Sequence, residues 1–119
     1  MKTSAITSIL VMIIFIFACK KTDTPTTFDC TGITPTYTTN VKPLLDLHCA
    51  ISGCHDAGSK ADGKDLSNYA SAKTAAANNS FLGSIQHLNG YTAMPQGAAK
   101  LNDADIKTIA CWVQNGMAQ

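Results

Sequence analysis

The stretch Cys49-Ala50-Ile51-Ser52-Gly53-Cys54-His55 places two thiols and an imidazole within seven residues. Such a group can close a small local disulfide, with the imidazole incidental. It can also add its thiols across the two vinyl groups of a haem, giving thioethers, and offer His55 to the iron from one face. The common attachment spacing leaves two residues between the cysteines; here there are four. The two extra residues must loop out between fixed points. Ser52-Gly53 suits that loop, because glycine enters backbone conformations closed to other residues.

A haem held in this way needs a ligand for its second face. Met94 follows His55 by 39 residues and lies in a Gly- and Pro-containing loop. A thioether is soft and weakly basic, so it favours Fe(II) and raises the potential relative to a second imidazole. Pro95 restricts the backbone beside it. Alone, a loop methionine is a packing residue; with the upstream thiols and imidazole, and an amphipathic helix behind it, the ligand reading is preferred. His87 is the alternative distal ligand and would give a lower-potential bis-His site. Its blander role is a hydrogen bond to a backbone group or a haem propionate. Lys100 is a ligand in principle, with a solvated role preferred. His48 reaches a haem edge at most.

Helices must position these groups. Asn40 is a candidate N-cap with Pro43 in the first turn, and Val41, Leu44, Leu45 and Cys49 then share a face. Residues 51–64 carry three glycines and predict a loop. A short helix is expected over 65–77, with Leu66, Tyr69, Ala70 and Lys73 on its period. Asn78-Asn79 interrupts it, and a third helix over 80–88 lines up Phe81, Ile85 and Leu88. In the last helix Asn102 caps, and Asp103 and Asp105 sit where the helix dipole favours anions. Ile106, Ile109, Ala110 and Val113 form its stripe beside Trp112, and Gly116 stops it. No segment has strand periodicity and no repeat is present, so the expected class is all-α.

The chain has 119 residues. Residues 6–18, ITSILVMIIFIFA, are uncharged, too few to span a bilayer comfortably but suited to a signal-peptide core. Phe17-Ala18-Cys19 resembles the lipobox of bacterial lipoproteins, with Cys19 as the lipidated residue and Phe17 where a small residue is usual. An uncleaved anchor or an ordinary cleaved signal is the alternative, and all three export the domain. The expected division is a signal peptide at 1–18, a polar tether at 19–36 and one domain at 37–119. Removing residues 1–18 leaves 101 residues with eight lysines against eight aspartates, no Arg and no Glu. That neutral balance gives no electrostatic footprint for nucleic acid. Export implies an oxidising compartment, in which unpaired thiols are unexpected. The expected location is the periplasmic side of the cell envelope, with the outer membrane preferred over the inner.

The order of helix, Cys/Cys-His site, variable middle, Met-Pro loop and final helix resembles a class I c-type cytochrome. More narrowly, VKPLLDLHCAISGCH and YTAMPQGAAKLNDADIKTIACWVQNG are similar to the short planctomycete-type cytochrome c domain, over about residues 37–117. The resemblance implies a small all-α fold of about four helices around one covalent haem c, with the first and last helices crossing. It implies Cys49 and Cys54 as thioether points, His55 as proximal ligand, Met94 as distal ligand, and Trp112 near the haem or its neighbours. With no Arg, propionates would rely on Lys, Trp112, Tyr91 or backbone N–H groups. Because the ends of such domains lie together, it also implies a Cys30–Cys111 disulfide, with an intermolecular bridge as the alternative.

The implied function is electron transfer without a catalytic site. The partners would be redox proteins of the envelope, and the membrane would be engaged through the lipid anchor. Two other classes compete. One is a five-coordinate haem enzyme or gas sensor, although a c-type peroxidase usually needs two haems and one site is present. The other is a non-haem lipoprotein with disulfides Cys49–Cys54 and Cys30–Cys111. A zinc site is weaker, since oxidising export disfavours free thiolates.

Overall fold

Residues 21–119 are described by the computed structural model; the expected signal peptide and Cys19 lie outside the described residues. Four α-helices, α1 (Lys42–His48), α2 (Tyr69–Ala76), α3 (Asn79–Ile85) and α4 (Asp103–Gln114), carry the secondary structure, with no strand among the described residues. None of these helices is long and apolar enough to cross a membrane.

The first helical segment starts earlier than Asn40. A wide π-helical turn over Tyr37–Val41 leads into α1, and Thr36 is its N-cap, accepting from the Thr39 N–H. Asn40 sits one turn inside and folds its side-chain oxygen back onto the Thr36 N–H at 2.9 Å. The Thr36 side chain thus satisfies the Thr39 N–H and the Asn40 side chain the Thr36 N–H, a variant of the capping box. Pro43 falls at the start of α1, where its missing N–H does little harm. Val41, Leu45 and Cys49 are buried, as their spacing predicts.

The second helix is shorter than expected; Leu66 and Tyr69 pack at the core as their period predicts, and Ala70 and Lys73 do not. Asp65 accepts from the N–H and hydroxyl of Ser67, making a local turn that competes with helix. Asn68 is therefore the N-cap. Ala72 and Ala76 face the core, with Tyr69 and Ala75 packed against it, while Ala70 and Lys73 are exposed. The small alanines let α2 lie close to α3, which follows after Asn78 caps it. α3 ends at Ile85, short of the expected Leu88.

α4 matches its sequence pattern. The Asn102 side chain accepts from the Asp105 N–H at 2.9 Å, and Gly116 leaves the helix at φ +89°. Ile106, Ile109 and Trp112 are buried with Val41, Leu45, Leu66, Ile85 and Leu101 in one core. Each such side chain contributes roughly 1.5–3 kcal/mol on full burial. Trp112 lies beside Tyr37, ring centroids 6.0 Å apart, and donates its Nε1–H to the Ala118 carbonyl at 2.7 Å.

Residues 22–36 do not form a free tether. Their irregular backbone, turned once at Thr31-Gly32, is laid along the domain as a strap. The Phe28 N–H and carbonyl pair with the Gln114 side chain, the Thr26 N–H with Gln86, and the Ile33 carbonyl with Asn115. Asn89 binds the Asp23 carboxylate. Outside the turn at residues 30–33 the strap's backbone polar groups have few partners within the strap itself, and these side chains supply donors and acceptors. Gly90 permits the crossing, since a Cβ there would come within 2.9 Å of the Thr22 backbone. A disulfide joins Cys30 to Cys111, 81 residues apart, and anchors the strap to α4.

Candidate functional site

α1 delivers Cys49 at its C-terminal cap, where the Cys49 N–H bonds the Leu45 carbonyl. The chain then makes the long loop between the two cysteines. Gly53 takes φ +82°, the left-handed conformation that a side chain would resist, and donates its N–H to the Ser59 hydroxyl. The loop closes on itself, with the His55 N–H donating to the Cys49 carbonyl at 3.0 Å. Four intervening residues therefore still bring His55 back beside Cys49.

Residues 56–66 wrap around the imidazole. Lys60 (φ 45°), Asp62 (φ 52°) and Gly63 (φ 68°) turn the chain sharply. That turn brings the Lys64 carbonyl to 3.2 Å from His55 Nδ1. A carbonyl can only accept, so Nδ1 carries a proton in this bond, and in the neutral imidazole the lone pair then lies on Nε2. No hydrogen bond among the described residues engages Nε2. This is the tautomer that a metal-ligating imidazole needs, with its other nitrogen oriented by a backbone oxygen. Lys64 also pairs with Asp62, and that ammonium holds the Asp62 carboxyl below the usual carboxylate range.

α3 and the loop after it deliver Met94 to the same cavity. The Met94 N–H donates to the Ser84 carbonyl, and its own carbonyl lies 3.0 Å from His87 Nε2. Tyr91 lies flat against Gly83, where a Cβ would come within 2.5 Å of its ring.

Cys49, His55 and Met94 line one cavity of about 560 Å³, with Leu66, Phe81 and Tyr91 among its walls. That volume falls within the range of about 300–1,000 Å³ typical of cofactor and ligand sites. Cys54 is half-buried beside His55 and outside the cavity wall. Neither Cys49 nor Cys54 is in a disulfide. One thiol, one imidazole with no hydrogen bond at Nε2 and one thioether line a largely apolar cavity, with the second thiol next to His55 in the chain, and these residue types fit a covalently attached haem. Among the described residues no three His, Cys, Asp or Glu side chains gather as a metal-ion site.

The propionate role expected of Trp112 is corrected. Trp112 is fully buried among the aromatic rings of Tyr37 and its neighbours, does not line the cavity, and has its N–H taken by Ala118, so it has no donor to offer a propionate. Lys100 pairs with Asp103 on the surface, the solvated role preferred for it; His87 bonds a backbone carbonyl, the blander of its expected roles, and neither it nor His48 lines the cavity. The Lys64 carbonyl was not foreseen, since a backbone acceptor leaves no mark in sequence.

Burial, with Cys54 nearby, pushes the Cys49 thiol up to about 11 from an ordinary 9.0. Reactivity follows the thiolate. In the haem-free chain, iodoacetamide at pH 8 is expected to label Cys54 at least about tenfold faster than Cys49, read by peptide mapping. The neutral Cys49 thiol belongs to the folded state. Its contribution to stability is therefore whole below pH 9 and lost as pH rises through about 11. Conversion to a thioether removes this alkaline loss.

Compared with known proteins, the chain matches no family model, no curated protein and no solved structure.

Proposed function

We propose that this chain is a single-haem c-type electron carrier of the cell envelope, of the class I cytochrome type, with His55 and Met94 as axial ligands and Cys49 and Cys54 as attachment points. The observation that carries the reading is the convergence of Cys49, His55 and Met94 on one largely apolar cavity, with His55 Nδ1 bonded to a backbone carbonyl. Haem c, when bound, supplies reversible one-electron chemistry at iron. Cys49, Cys54, His55 and Met94 would hold it, the Lys64 carbonyl would orient His55, and Leu66, Phe81 and Tyr91 would pack against it. Two protein ligands leave no open position for substrate, which favours a carrier over an enzyme or gas sensor. Redox proteins of the envelope would be the partners, and Cys19 lipidation would tether the protein to the membrane.

The unbonded Cys49 and Cys54 weigh against a lipoprotein with two disulfides. The test is expression in cells able to attach haem c. Intact mass should then show one tetrapyrrole bound covalently, and mapping should place it on Cys49 and Cys54. The ferric protein should show the near-infrared absorption of thioether-bound iron. A colourless protein of unmodified mass would end the proposal.

A further inference from the structure

α3 terminates with an unusual choice of residue. The His87 N–H bonds the Ser84 carbonyl and the Leu88 N–H bonds the Gly83 carbonyl, the two hydrogen bonds of a Schellman ending. The left-handed position of that ending is ordinarily glycine, and here it is His87 at φ 55°. A side chain at this φ is unfavourable unless something offsets it. The imidazole Nε2 lies 3.0 Å from the Met94 carbonyl. That oxygen only accepts, so Nε2 carries the proton in the bond. The Ser84 carbonyl that closes the helix ending also takes the Met94 N–H, at 3.0 Å. Both backbone polar groups of Met94 are thus tied to the end of α3, although Met94 itself lies outside any helix.

We propose that His87 is a positioning residue, clamping the Met94 backbone to the end of α3 so that its thioether stays at the cavity. The inference rests on Met94 being an axial ligand, as proposed above. A hydrogen bond of this kind shifts an equilibrium by about 2- to 10-fold. The clamp therefore biases the thioether against competing ligands and is not itself a ligand.

The test uses the full-length holoprotein and two variants. His87→Gly suits the helix ending, so the fold and melting temperature are expected to hold. Without the clamp, the near-infrared thioether band should weaken and added imidazole should bind the ferric protein about 3- to 10-fold more tightly. The Met94 amide should also exchange its hydrogen faster. His87→Gln restores a side-chain N–H donor and should recover most of the parent behaviour. A purely structural role predicts a change in melting temperature with the imidazole affinity unmoved. Parent-like imidazole affinity in His87→Gly, or no recovery in His87→Gln, overturns the clamp while the ligand assignment stands. Absence of the thioether band from the parent protein overturns both.

Discussion

A protein carrying Cys30→Ser together with Cys111→Ala is expected to lose about 2–5 kcal/mol of stability, measured by guanidinium denaturation of the ferric form. The bond links residues 81 apart, so it restricts nearly the whole unfolded domain. Chain entropy alone gives about 4–5 kcal/mol for a loop of that length. Cys111 is fully buried, and alanine there adds a small packing loss without burying an unpaired hydroxyl. The loss should have a spatial signature. Once the anchor is gone, the amides of Thr26 and Phe28, bonded to Gln86 and Gln114, should exchange faster than those of α1. A loss below about 1 kcal/mol would show that the strap is held by its amide contacts and core packing, with little help from the bond.

Met94→Ala is expected to remove the near-infrared thioether band and leave ferric iron five-coordinate or water-bound at neutral pH. Small ligands such as imidazole should then bind without having to displace a protein group. Met94→His offers the complementary readout. Exchanging a soft thioether for a more basic imidazole should lower the midpoint potential by on the order of 100 mV or more. Met94 is half-buried in an irregular loop, and the hydrogen bonds at its position are made by its backbone. Its side chain can therefore change without undoing the loop. A potential and spectrum unchanged in Met94→Ala would remove Met94 from the iron. His87 would not then be the ready substitute, because it does not line the cavity and its Nε2 is engaged by the Met94 carbonyl.

The legible features shared one property: they are local. The Cys49-to-His55 run, the Asn102 cap, the stripe of α4 and the loop around Met94 follow from spacing, capping and turn chemistry within a few residues. Where the readings slipped, a nearby competitor won. Thr36 captured the helix start from Asn40 because it could accept from Thr39 and receive Asn40 in return. Asp65 diverted the start of α2 through Ser67. The polar run at residues 22–36 looked like a tether because it lacks apolar residues at any period, yet its backbone polar groups, with the Cys30–Cys111 bond, hold it to the domain.

By itself the sequence determined the helical class and the four main helices to within a few residues, and it marked Cys49, Cys54, His55 and Met94 as the candidate site. Tertiary structure decided that Cys49, His55 and Met94 share one cavity, that Trp112 is kept from it, and that His55 and His87 are both set by backbone carbonyls. The reason is physical. Periodicity and capping act between neighbours along the chain. The partners of His55 and His87 are main-chain oxygens, which every residue possesses, and only the path of the backbone in space selects Lys64 and Met94 from among them.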